Sequence, residues 1–345
     1  MFKKWAIGMA ALCAATGVLA ETHYIPSGED NLIHNFLNGT QVAGKTFSSG
    51  DTIVLMDAGP YINDELVFRG DVIIRSFNKD IEPSFETRSA GVLQLTFEAN
   101  AQLYGLKIDQ ELHFSTNQNN SYLVANSTFN TQTGFNLHAY GSSANITLIG
   151  NTFEVEKVSV DTGNFLIVGN KFHLASSGTS NIQLFSSNNA SQFVGNEVIS
   201  TTTNNSDEND SVLFIRSGPV NIIGNRFLQI THEDNLFLDT FISFYNPFFS
   251  SQWTNLRDDA VSTTGSLLQN NSFAIQGSSG IDTIGWRFMY SEEANSHYKL
   301  FNNVFQSIPS GIPNEPLYAI DHLESTTIQF ANNIIVNYPG NVIAQ

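Results

Sequence analysis

The chain has 345 residues, 41% of them apolar, with 32 acidic against 15 basic side chains and a formal charge of -17. A balance this acidic argues against a nucleic-acid partner. The single cysteine, Cys13, excludes an internal disulfide and a Cys-ligated zinc, so burial and hydrogen bonding must hold the fold together.

The first twenty residues read as a secretory signal: Lys3 and Lys4, an apolar stretch from Trp5 to Leu19, and Val18-Leu19-Ala20 as a small-residue cleavage site. Its removal would take 15 basic residues to 13 and the formal charge from -17 to -19, leaving no thiol and placing the mature protein outside the cell or in the periplasm. No later stretch approaches the apolar length of a membrane span. Residues 21–48 are expected to form an N-terminal cap, and 49–345 one repetitive domain whose first coils begin at "SSGDTIVLMDAGPYIND" and "LVFRGDVIIRS".

From residue 103 onward one short step recurs: "LYGLKI", "LVANSTF", "TLIGNTF", "LIVGNKF", "QFVGNEV", "NIIGNRF", "LLQNNSF", "KLFNNVF" and "IQFANNII". Its first position is Gly105, Asn126, Gly150, Gly169, Gly195, Gly224, Asn270, Asn302 and Asn332, the two residue types that best tolerate positive φ, so the column predicts a left-handed backbone at a tight corner. The second position is Asn from Asn151 onward, and stacked Asn side chains can bond one another across coils and satisfy buried corner amides. Two residues later comes Phe153, Phe172, Val198, Phe227, Phe273, Phe305 or Ile335, an inward apolar ladder. Successive steps lie 21, 24, 19, 26, 29, 46, 32 and 30 residues apart, which suits coils with variable loops.

Between the steps lie alternating segments such as "FNLHAY", "VSVD", "NIQLF" and "VLFIR", the period of half-buried strands, and no long stretch has helical periodicity. The expectation is an all-β parallel β-solenoid of roughly ten or eleven coils, about 50 Å long at about 4.8 Å per coil. The longest interval holds "LFLDTFISFYNPFFSSQW", with Phe237, Phe241, Phe244, Tyr245, Phe248, Phe249 and Trp253. Residues 228–262 are therefore expected to leave the solenoid as an aromatic insertion, packed on its flank or forming a sugar-binding lid.

Parity along the strands selects an outer face of His138, Tyr140, Asp161, Phe185, Phe214, Arg216 and Arg287, and in "WRFMYS" sets Met289 outside with Arg287. Aromatic rings with a few charges suit a sugar polymer, whose ring faces stack while its hydroxyls bond polar groups. Arg216 and Arg287 would neutralise a uronate carboxylate, His138 or Tyr140 would serve as base, and Asp161 is the one carboxylate on the inferred face, where hydrolysis would need two. Phe185, Phe214 and Tyr140 would bind substrate. Asp207, Glu208 and Asp210 in "NNSDENDS" are hard oxygen ligands of the kind Ca2+ takes, although their spacing matches no known loop and a solvated acidic turn is the plainer reading. The outward position of the corner step carries Lys107, Lys171, Glu197 and Arg226, with Thr152 among them, a sparse stripe that suits solubility.

The corner step and the "SSGDTIVL…GPYIND" opening resemble the pectin-lyase-like, right-handed parallel β-helix superfamily, including its alginate lyase and chondroitinase B group. The resemblance spans most of residues 48–338 and implies a single right-handed β-helix and a polysaccharide partner. Neither the Asn-Thr-Asp, Asp-Asp and Gly-His-Gly set of polygalacturonases nor the Arg-x-Pro-x-x-Arg of pectate lyases is present. Two functions stay open: an exported carbohydrate-active protein, acting by β-elimination if an enzyme, and a non-catalytic adhesion or structural solenoid. In either case the chain is expected to be a monomer.

Overall fold

The structure, a computed structural model, describes residues 20–86, 94–109, 111–114, 119–130, 135–139, 144–155, 157–176, 181–186, 191–202, 211–231, 240–244, 262–277, 287–291, 295–308, 318–322, 326–336 and 341–343. Three long parallel sheets of 12, 11 and 9 strands run the length of the molecule, and the chain visits them in fixed order. One turn shows the pattern: Asn164–Val168 lies in the 12-stranded sheet, Lys171–Ser176 in the 9-stranded sheet and Asn181–Ser186 in the 11-stranded sheet, before Ser191–Val194 returns to the first. This is an all-β architecture of stacked parallel strands, consistent with a parallel β-solenoid.

The corner between the 12- and 9-stranded sheets takes two residues in every turn from Gly105 to Asn333. All nine residues at its first position have φ between 52° and 66°. That backbone costs most side chains about 1–2 kcal/mol, which explains a column restricted to Gly and Asn. Gly224 isolates the effect, because a Cβ added there meets nothing within 4 Å. Gly224→Val is therefore expected to cost about 1–2 kcal/mol from φ alone, while Gly224→Asn, the residue already present at Asn270, should be close to neutral; equal melting temperatures for the two variants would contradict this account.

At the second position Asn151, Asn170, Asn196, Asn225, Asn271 and Asn303 are all at most 2% exposed. Burying an unpaired amide is costly, and here each one is fully used. Asn196 Oδ1 accepts from the Asn170 backbone N–H at 2.9 Å and from Asn170 Nδ2 at 3.0 Å, while Asn196 Nδ2 donates to the Ile167 carbonyl at 3.0 Å and to Asn225 Oδ1 at 3.1 Å. The same bonds carry the ladder on to Asn333. Towards the N-terminus Ser127 takes the role, accepting the Leu106 N–H and donating its own N–H to Asn151 Oδ1. Inside the corner the rings stack: Phe129 on Phe153 at 4.6 Å, Phe153 on Phe172 at 4.7 Å, Phe227 on Phe273 at 4.8 Å and Phe273 on Phe305 at 5.1 Å. Where Val198 interrupts the column, Phe193 from the 12-stranded sheet bridges Phe172 and Phe227 at 5.8 and 6.2 Å.

At the N-terminal end, Thr22–Ile25 forms the outermost strand of the 12-stranded sheet, paired with Asp51–Leu55. A short helix, Leu32–Leu37, buries Ile33 and Phe36 and packs against Leu66–Phe68, the outermost strand of the 11-stranded sheet. Tyr61, 3% exposed, donates its hydroxyl to the Ile25 carbonyl at 3.0 Å, and burial pushes that hydroxyl up to about 12. The opposite end differs: in Thr327–Ala331 the core-facing Ile328 and Phe330 are only partly buried.

Two expectations need correction. Leu228–Thr231 and Thr240–Phe244 are ordinary strand residues, so the bounds 228–262 are too wide, whereas the 46-residue interval from Asn225 to Asn271 is a single turn, as an insertion within one coil requires, since those two amides bond directly. Phe241 and Phe244 are fully buried core residues, Phe241 against Phe273 and Phe288 and Phe244 against Tyr298, so neither belongs to a lid. Phe237, Tyr245, Phe248, Phe249 and Trp253 lie outside the described residues.

Candidate functional site

The three sheets offer different outer faces. On the 9-stranded sheet Lys107, Thr128, Thr152, Lys171, Glu197 and Arg226 align in one row, as the sequence step implies, and Arg226 pairs with Glu197 at 2.9 Å in solvent. The 11-stranded sheet is where the chain spends its variable length. Segments 203–210, 232–239, 278–286 and 309–317 lead into it and 245–266 leads out, whereas from Gly105 onward the far corner never departs from two residues. A rigid scaffold flanked by variable segments is the usual setting for a binding site.

Strand register on this sheet brings several candidates together. His113 pairs with His138, His138 with Asp161, and Asp161 with Phe185, one residue from each of four consecutive turns and about 4.8 Å apart at each step. The next pairing slips: Leu184 faces Ile215 but Phe185 faces Ser217, so Arg216 is the extra residue of a β-bulge at the end of this row. Bulges re-aim a side chain and interrupt pairing, and they are common beside active sites. The side chains of His113, His138, Asp161, Arg216 and Arg287 lie outside the described residues, as does Tyr140 altogether. Arg287 is not in the group. It pairs with Thr240, which pairs with Ser211, two strands across and five residues before Arg216.

Phe185 and Phe214 do not lie open as expected. Each is 7% exposed, yet neither joins the contiguous core, and each alternates with a fully buried neighbour, Leu184 and Leu213. Their outer side is covered, so they do not offer free ring faces. No protein-family model, curated protein or solved structure matches the chain. Met289, expected outside with Arg287, is fully buried and registers with Ile242 and Ile320, so parity is no guide at that strand.

Among the described residues no three His, Cys, Asp or Glu side chains gather to hold a metal ion, and no helix is long and apolar enough to cross a membrane. The Ca2+ candidates Asp207, Glu208 and Asp210 lie outside the described residues. One ionisable pair escaped the sequence reading. His23 Nε2 meets Asp51 Oδ2 at 2.8 Å with side chains 2% and 1% exposed, and the His23 ring rests on Phe36 at 4.7 Å. Asp51 also accepts the backbone N–H groups of Glu21 and Ser48, both at 2.8 Å. With every oxygen engaged beneath the first strand, the pair fastens the N-terminal end rather than facing a ligand. His113 was also missed, although "ELHF" and "NLHA" repeat the same pattern and their register supplies the link.

Proposed function

We propose that this is an exported carbohydrate-active protein of the right-handed parallel β-helix type, with ten or eleven coils, that engages a uronate-containing polysaccharide on the outer side of its 11-stranded sheet. One observation carries the reading: His113, His138 and Asp161 fall in one register row that ends at the Arg216 bulge, on the sheet whose flanking segments vary most. The resemblance to the pectin-lyase-like superfamily adds the substrate class.

In the enzymatic form of this proposal, β-elimination needs a cation at the uronate carboxylate and a base at the neighbouring carbon. Arg216 suits the first role, since a guanidinium pairs a carboxylate through two hydrogen bonds. The base, assigned to His138, removes the C5 proton, the C4–O bond breaks as the C4–C5 double bond forms, and the departing oxygen takes up a proton. The covered Phe185 and Phe214 favour the second reading, a non-catalytic adhesion or structural solenoid, because they do not supply the open stacking platforms a sugar-processing groove uses.

Assaying the mature protein on alginate, pectate and glycosaminoglycans for the ultraviolet absorbance of the unsaturated product, with pulldowns on the same polymers, separates the two. Arg216→Ala is expected to lower turnover or affinity by about tenfold or more, the worth of a lost charge-assisted bond, with its melting temperature unchanged. No product and no binding on any acidic polymer would end the carbohydrate reading.

A further inference from the structure

The outer face of the 12-stranded sheet is unlike the other two. Two register rows cross all twelve strands there, one from Thr22 to Gln329 and one from Tyr24 to Ala331. Neither row contains an aspartate or glutamate, in a chain that has 32 of them, and the only charges in the rows are Arg75 and Lys299. Along the middle of the second row stand Ile149, Val168, Val194 and Ile223, none of them buried. Beside them in the first row are Thr147, Leu166, Gln192 and Asn221, with Leu123 and Leu267 on the turns just before and after, none of the six buried. At the N-terminal end, beyond the buried Ala125 and Val54 and the exposed Arg75 of the same row, stand Tyr24 and Phe77, 53% and 54% exposed and in edge-on contact at 6.3 Å.

We infer that this strip is a homotypic interface: two copies of the chain pack their 12-stranded sheets face to face about a two-fold axis. Three physical points select a second copy over other occupants. First, the second row is aliphatic over four consecutive turns, and those β-branched side chains offer neither the flat ring nor the hydrogen bonds that hold a sugar; what they fit is another aliphatic sheet face, interdigitating at about 10 Å, with Thr147, Gln192 and Asn221 beside them to pair across it. Second, two bodies of formal charge -17 repel, and the face on which they can meet is one free of carboxylates. Third, the area is adequate. Nine turns at about 4.8 Å and two rows spanning about 14 Å give about 600 Å² per copy, so about 1,200 Å² in total, above the roughly 1,000 Å² a stable specific interface needs. A self-complementary patch on one face generates a closed dimer rather than a fibre. This assembly replaces the monomer expected from sequence and is independent of the glycan proposal.

The test is the mass of the purified mature protein by sedimentation velocity across a concentration series. Wild type is expected to be dimeric, and added salt should strengthen association by screening acidic repulsion. Val194→Glu should weaken the dimer by at least about tenfold, a buried charge without a partner being worth more than that. Val194→Gln, matching Gln192 and Gln269 nearby, should weaken it less and guards against a folding defect, while Thr152→Glu on the 9-stranded sheet should leave it intact. A wild type that stays monomeric throughout overturns the proposal, and so does a Val194→Glu protein that remains dimeric. Loss of polysaccharide binding in Val194→Glu without any change of mass also overturns it and assigns the strip to the polymer; Arg216→Ala, read in parallel, reports separately on the 11-stranded sheet.

Discussion

Asn196→Ala is expected to destabilise the protein by about 3 kcal/mol, because it strands two buried donors at about 1–3 kcal/mol each. The donors are the backbone N–H and one Nδ2 hydrogen of Asn170, and the Ile167 carbonyl and Asn225 Oδ1 each lose a partner as well. The informative control is Asn333→Ala, which removes an identical pair of bonds from Asn303 but at the partly exposed last rung, where water can replace them. Its cost should be about 1 kcal/mol. Urea midpoints of the two variants test this: equal losses would mean that the ladder's worth does not come from excluding water, and no loss in Asn196→Ala would mean that the ladder is incidental.

A comparable loss, about 3–5 kcal/mol, is expected when Asp51 is replaced by alanine, since each buried donor left without its acceptor costs about 1–3 kcal/mol. Three donors, from Glu21, Ser48 and His23, would face no acceptor in a region where both side chains of the pair are at most 2% exposed. The damage should be local. The strand Thr22–Ile25 pairs on one side only, so hydrogen exchange should accelerate across it and across Leu32–Leu37, while the turns around Asn196 keep their protection. Removing His23 as well should add little, since the two side chains act as a unit. Uniform acceleration along the whole chain would show that this end does not open independently.

The corner was legible from sequence because its physics admits so few residues. Positive φ leaves Gly and Asn, and a buried amide with four partners leaves Asn; the first restriction recurs nine times and the second falls on the adjacent position in seven of them. The face of the 11-stranded sheet was not legible because alternation reveals orientation only where one side meets water. In Ser211–Ser217 the residues Val212, Leu213, Phe214 and Ile215 are all buried, and in Arg287–Ser291 both Phe288 and Met289 are, so polarity carries no parity there. The His23–Asp51 pair was invisible for another reason: its members lie 28 residues apart and meet only because one strand stacks on the next. The apolar strip of the 12-stranded sheet was hidden in plain view, since "TLIG" and "LIVG" were read for their corner and not for the residue before it.

The two-residue corner also governs how this protein can change over generations. Adding a residue there would shift every following side chain to the opposite face and pull a rung out of the Asn column, so insertions at that edge are eliminated by loss of folding. Insertions into the segments that lead to and from the 11-stranded sheet leave the column untouched, as the one 46-residue turn between Asn225 and Asn271 demonstrates. Novelty in such a lineage therefore accumulates along two margins of a single sheet. The remaining edge serves as a fixed datum from which each new turn is measured.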